Sequence, residues 1–160
     1  MKNIRIEIKW SIIFVVMSLL WMLLERLVGL HDAHIELHAG LTNLFAIPAI
    51  LIYVFALLEK RNKFFGGLIS YKQAFISGLV ISLIVAVLSP LSQYITSVII
   101  TPHYFENAID FAVSSGAMDQ AAAEAYFNLN QYIILSLISA PLLGIITTAI
   151  VALFVKKKAC

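Results

Sequence analysis

The sequence predicts an all-α, polytopic membrane protein with four transmembrane helices and an external helical hairpin between the third and the fourth. Three observations carry this. The 160-residue chain is 61% hydrophobic and only 12% charged, with a mean hydropathy of +0.95, whereas soluble domains are about a quarter charged and about half apolar. Its apolar residues gather into four segments, each near the roughly 20 residues needed to cross about 30 Å of hydrocarbon. Ten of its 11 Lys and Arg residues fall on one side once four spans are drawn.

The first segment, about 9–30, is uncharged from Trp10 to Leu24 and then meets Glu25 and Arg26. The stretch before it, NIRIEIK, alternates like a strand, but Ile4, Ile8 and Ile12 also recur every four residues. Ahead of a membrane helix that spacing favours an amphipathic helical lead-in at the interface. MKNIRIEIK has the basic character that opens a signal peptide, yet the apolar run is long and no A-x-A-like site follows, so the segment reads as a retained span. The second segment, about 41–58, is short and holds Pro48; the third, about 74–100, holds Pro90; the fourth, about 132–155, holds Pro141. Proline is tolerated inside spans because neighbouring helices and Ser or Thr side chains satisfy the freed backbone groups. The Gly66–Gly67 pair before the third span reads as a turn, without the lysine and spacing of a phosphate-binding loop. The whole chain, 1–160, reads as a single four-helix membrane domain. Its one cysteine, Cys160, admits no intramolecular disulfide and lacks the three following residues of a prenylation signal.

Orientation follows from the bases. Lys2, Arg5 and Lys9 precede the first span, Lys60, Arg61, Lys63 and Lys72 join the second to the third, and Lys156, Lys157 and Lys158 follow the fourth. Basic residues near span ends stay cytoplasmic, so both termini are expected inside, in a bacterial inner membrane. Residues 101–131 hold four acids and no Lys or Arg, as an external segment would. Within it, Thr101 and Pro102 look like a cap and first helical residue. An apolar stripe follows through Tyr104, Phe105, Ala108, Ile109 and Ala112, broken at Ser114–Gly116, and a second helix is expected over Ala117–Leu129.

Small residues mark how the spans pack. In the fourth, Ser136, Ala140, Gly144, Thr148 and Ala152 recur at every fourth position, a nearly smooth face on which another backbone can approach closely. In the third, Gly78, Ser82, Ala86, Ser89, Gln93 and Thr96 share a face that is small in its inner half and polar in its outer half. These two faces are expected to meet each other or a second protomer. A polar solute pathway along Ser89, Gln93 and Thr96 is the competing use, with Gln93 the most informative residue because its amide is costly to leave unpaired in hydrocarbon.

The candidate chemistry sits in ERLVGLHDAHIELHAG, residues 25–40. Continued as a helix at about 100° per residue, His31, His34 and His38 share one face while Glu25, Asp32 and Glu36 share the opposite one. Three imidazoles at that spacing can converge on a transition metal, with His103 as a fourth ligand. The competing readings are a polar interfacial cap and a pH sensor, since histidine titrates near pH 6.5. Glu25 and Arg26, with Ser89 and Gln93, make a candidate intramembrane polar site. Arg26, the one base on the outer side, is expected to anchor to acidic groups such as Glu106 or to a lipid phosphate.

GGLISYKQAFISGLVISLIVAVLSPLSQYI, TPHYFENAI and GAMDQAAAEA, spread over the central and C-terminal two thirds, resemble a family of small Bacteroidetes membrane proteins known as domain of unknown function 4199. The resemblance implies four spans and brings no established activity. Within the residues themselves there is no nucleophile–base pair, no paired carboxylate inside a span and no cofactor-binding motif, so no enzymatic activity and no cofactor are expected. The bases are few and explained by topology, which leaves nucleic acid without a binding surface. The expected partners are the lipid bilayer and either a second copy or another membrane protein. A membrane interaction or assembly role is favoured; a small-solute or ion transporter or channel acting as an oligomer, and an external pH or metal sensor built on His31, His34 and His38, are the alternatives.

Overall fold

The structure is a computed structural model that describes residues 3–157. Lys2, Lys158 and Cys160 lie outside the described residues. Among the described residues seven α-helices follow one another: α1 (Arg5–Leu27), α2 (Ile35–Leu41), α3 (Ala46–Glu59), α4 (Tyr71–Ile95), α5 (Tyr104–Ser114), α6 (Gln120–Tyr126) and α7 (Leu129–Val155). A 3-10 turn over Thr42–Phe45 joins α2 to α3, and wide π-type turns continue α3 over Lys60–Phe64 and α4 over Thr96–Ile100. Four stretches are long and apolar enough to cross a membrane: Arg5–Leu27, Ile35–Phe64, Tyr71–Ile100 and Leu129–Val155. The chain is a multi-pass membrane protein.

Local chemistry explains where the boundaries move from those expected. The third span begins at Tyr71 rather than 74 because Ser70 and Gln73 form a reciprocal capping box that satisfies the first backbone N–H groups. The turn at Gly66 and Gly67 is as expected, both residues holding the positive φ that glycine alone adopts without strain. Thr101–Pro102 does not start a helix, contrary to expectation. Thr101 is instead the buried close of the third span, its N–H and hydroxyl both donating to the Thr96 carbonyl, and α5 begins at Tyr104. The second external helix is shorter than expected, because Asp119 caps α6 at its start and Asn128 already caps α7. Asn128 and Asp119 each accept from a backbone N–H three residues on, as N-cap side chains do.

Both described ends of the chain lie at one end of the molecule, here the terminal end. Ile69 and Lys157 exchange two backbone hydrogen bonds of 3.0 and 2.9 Å, and Arg61 donates to the Val155 carbonyl at 3.1 Å, closing the last turn of α7. The tightest apolar core, including Ala56, Leu57, Ile69, Ala74, Ile81 and Ala152, is in this half. The opposite end carries the residue 28–34 turn, α5 and α6, and is called the histidine end.

The small-residue faces of α4 and α7 meet each other within one chain. A Cβ added to Gly78 would fall 2.5 Å from Thr148 Oγ1, and one added to Gly144 would fall 2.5 Å from Ser82 Cβ. Two helical turns further along, Ser136 donates to Ser89 at 3.1 Å. Glycine at 78 and 144 thus sets the closest approach of two antiparallel backbones, as small residues do between membrane helices.

Candidate functional site

At the histidine end α1 stops at Leu27, and Gly29 takes φ +82°. That left-handed residue reverses the chain, with Leu30 N–H returning to the Glu25 carbonyl at 2.9 Å and His34 N–H bonding Gly29 at 2.8 Å. The reversal lays His31 back over the end of α1, and α2 delivers His38 to the same point. Both imidazoles face the Glu25 carboxylate: His31 Nε2 lies 3.1 Å and His38 Nε2 3.5 Å from Oε2. Trp21, one turn earlier on α1, donates its indole N–H to Oε1 at 2.6 Å. Glu25 is 1% exposed and His31 3%.

This differs from the expected arrangement of the histidines, and the reason is local. A uniform helical wheel does not cross a residue with positive φ, so Glu25 joins His31 and His38 instead of opposing them. His34 is left outside, 58% exposed beside Glu36. His103 is also outside, 78% exposed beside Glu106. The His31–His34–His38 set with His103 as fourth ligand is therefore not brought together.

Tyr104, at the first turn of α5, closes the cluster. Its ring centroid lies 5.1 Å from that of His31 and 5.2 Å from that of His38. Its hydroxyl is 3.3 Å from that of Tyr132. Burial pushes the Tyr104 phenol above its ordinary value, with the Glu25 charge adding to the effect, so it remains a neutral hydroxyl. Asn107 holds the turn from the side by donating to the His31 carbonyl at 2.8 Å. Two buried nitrogens, His31 Nδ1 and His38 Nε2, have no hydrogen-bond partner. The 3.5 Å separation of His38 from Glu25 is longer than a good N–H···O bond.

Arg26 points elsewhere. Its guanidinium donates to the Ile100 carbonyl at 2.5 Å, capping the π-type turn that ends the third span, rather than binding Glu106. Adjacent residues on a helix diverge by about 100°, which is why Glu25 turns inward while its neighbour reaches across to α4.

Below the cluster lie two adjoining cavities of about 300 and 470 Å3. Ser18 of α1, Thr42 at the 3-10 turn, and Ser92 and Gln93 of α4 border both. The smaller reaches His38, Trp21 and Tyr104; the larger runs toward Tyr53, Ser89, Ser136 and Gly144. Irregular backbone inside a membrane span is tolerated where it is buried in protein or lines a cavity, and the Thr42–Phe45 turn does the latter. Gln93, singled out from the sequence, stands where the two cavities join. Of the described residues lining them, none is Asp, Glu, Lys or Arg.

A second buried charge cluster, at the terminal end, was not foreseen. Lys60 lies 2.9 Å from Glu7 Oε1, Ser77 donates to the same oxygen at 2.5 Å, and Lys60 also donates to the Asn3 carbonyl at 2.9 Å. Glu7, Lys60 and Ser77 are all buried. Just outside, Glu59 gathers Lys9, Lys63 and the Trp10 indole. The sequence carries only a weak signal for it, a lone acid, Glu7, with Ser11 four residues on, at the entry to the uncharged run.

Residues 9–157 match the family model described as "Protein of unknown function (DUF4199)". The chain belongs to the DUF4199 family. No curated protein and no solved structure matches it. For this DUF4199 protein the chemistry must therefore come from its own side chains. They provide a buried carboxylate under two imidazoles and an uncharged, hydroxyl-lined space leading inward from it.

Proposed function

We propose that this DUF4199 protein is a non-enzymatic protein of a bacterial inner membrane that takes a small neutral polar solute into the space between its four spans. The observation that carries this is the pair of adjoining cavities, about 470 and 300 Å3, joined at Gln93. Ligand sites commonly enclose about 300–1,000 Å3 and combine apolar walls with a few placed polar groups. Here the polar groups are hydroxyls, the amides of Gln93 and Asn43, the Trp21 indole and the His38 imidazole, and no lining residue is Asp, Glu, Lys or Arg. Such walls suit a neutral hydroxylated or amide solute better than an ion.

The bases at the terminal end, against Arg26 alone at the other, support cytoplasmic termini by the positive-inside tendency. The histidine end, with α5 and α6 as a hairpin over it, is then external, and the solute enters beneath Tyr104. An assembly role would draw on the small-residue faces of α4 and α7 as docking surfaces. Those faces are spent on each other inside one chain, which moves the weight to solute binding.

Proteoliposome permeation tests the proposal, with glycerol and urea as probes and stopped-flow light scattering as the readout. Wild-type protein is expected to raise permeation of at least one probe above protein-free vesicles, and Gln93→Leu or Ser92→Leu to abolish the increase. Rates equal to those of empty vesicles for both probes, with correctly folded protein present, refute it.

A further inference from the structure

The geometry points to a divalent transition-metal site, of the zinc type, formed by Glu25 Oε2, His31 Nε2 and His38 Nε2. One ligand atom from each of these three residues lies within 4.8 Å of the other two. Two donors each about 2.0–2.2 Å from a tetrahedral zinc ion are themselves about 3.3–3.5 Å apart. The observed separations from Oε2, 3.1 Å to His31 and 3.5 Å to His38, fall around that spacing.

Hydrogen bonding alone leaves the cluster incomplete. His38 Nε2 is buried, aimed at the carboxylate and without a hydrogen-bond partner. Buried polar atoms are nearly always paired, and an orphaned imidazole nitrogen beside a carboxylate and a second imidazole is what a missing cation between them would explain. Two nitrogens and one oxygen form a donor set that zinc and its first-row neighbours accept, while magnesium and calcium prefer oxygen alone.

The surroundings are those of a metal centre. Trp21 fixes the far oxygen of Glu25 at 2.6 Å, which orients the carboxylate and turns Oε2 toward the two imidazoles. His38 presents its other nitrogen to the Tyr104 hydroxyl at 3.5 Å. Three protein ligands leave a fourth position, and the 300 Å3 cavity that His38, Trp21 and Tyr104 border can supply water to it. His34 and His103, both solvent-facing, take no part. The site stands apart from the solute proposal, since metal titration reads three side chains whatever the cavity admits.

Full-length protein in lipid nanodiscs, purified without a polyhistidine tag, is titrated with Zn2+ against a chromophoric chelator. One ion per chain is expected, with Mg2+ unable to compete. Loss of hydrogen-bond partners around metal ligands already weakens binding about 10- to 100-fold, so Glu25→Gln, His31→Gln and His38→Gln are each expected to weaken it at least as much. His34→Gln and His103→Gln are expected to leave it unchanged. Cobalt on the wild-type protein decides the matter should the ligand variants fail to fold: strong visible bands of a four- or five-coordinate ion support the site. The pale spectrum of hydrated Co2+, the absence of stoichiometric zinc binding, or binding lost with His34 and His103 but kept without His38, overturns it.

Discussion

Replacing Gly78 with alanine tests the α4–α7 contact on which the four-span packing rests. The added methyl would sit 2.5 Å from Thr148 Oγ1 and within clashing range of Thr148 Cγ2 as well. Rotating Thr148 about χ1 moves its hydrogen into one of the two occupied positions but leaves a heavy atom in the other, so no rotamer clears the site. Overpacking of this kind costs about 1–3 kcal/mol. In a soluble helix about 1 kcal/mol would return through the better helix propensity of alanine. That gain is largely absent here, because a span separated from its neighbours in a bilayer is still helical, so the full steric cost is expected. Thr148→Ala removes both clashing γ atoms and also a buried hydroxyl that has no hydrogen-bond partner. Alone it should change stability little; combined with Gly78→Ala it should recover at least half of the loss, a coupling that a double-mutant cycle isolates. The assay is SDS-induced unfolding in mixed micelles, followed by Trp10 and Trp21 fluorescence. A Gly78→Ala variant within about 0.5 kcal/mol of wild type, or one that Thr148→Ala does not rescue, would refute the packing described.

Two other outcomes follow from the same structure. Lys60→Met leaves Glu7 buried without its cation, and breaking one side of such a pair costs about 3–5 kcal/mol; Glu7→Gln added to Lys60→Met should restore much of it in the same unfolding assay, and additive losses would show that the two residues do not act as a pair. Gln93→Cys in a Cys160→Ser background should react with a membrane-impermeant thiol reagent, because Gln93 borders both cavities. Val87→Cys, at a position 77% exposed on the lipid-facing side of α4, should not; equal labelling at the two positions would mean the cavity is closed to water.

Features that depend on composition or on helical period were legible in the sequence. The four spans, the clustering of bases near both termini and the 60–72 loop, and the facing stripes of α4 and α7 all repeat along one element, so a wheel or a charge count reveals them. The candidate site was only half legible, for two distinct reasons. Gly29 takes a positive φ in a stretch whose apolar and polar spacing otherwise continues the helix, and that one residue exchanges His34 for Glu25 in the cluster. The Glu7–Lys60 pair joins residues on different spans, and nothing in a single chain's pattern specifies which inward-facing acid meets which inward-facing base. Arg26 illustrates the same limit: the sequence marks it as unusual, while its acceptor, the Ile100 carbonyl, exists only because the third span ends in a π-type turn.

The two buried charge clusters are best understood by comparing how completely each is satisfied. At the terminal end Glu7 has Lys60 within reach of both oxygens, at 2.9 and 3.0 Å, and Ser77 on one of them. Lys60 in turn meets the Asn3 carbonyl and lies 4.0 Å over the Phe64 ring. Charge is balanced and every strong donor has an acceptor, so this cluster can be explained entirely as a clasp holding α1, the end of the second span and α4 together. At the histidine end the same kind of carboxylate meets the Trp21 indole on one oxygen and His31 Nε2, at 3.1 Å, on the other, but two ring nitrogens, His31 Nδ1 and His38 Nε2, stay unpaired. A protein that completes one intramembrane charge network and not the other has the chemistry to complete both: another hydroxyl such as Ser77 would serve. The incomplete network is also the one beside the cavities and under an aromatic cover. Structural need accounts for the first cluster, whereas the second has the composition of a place kept for something that binds.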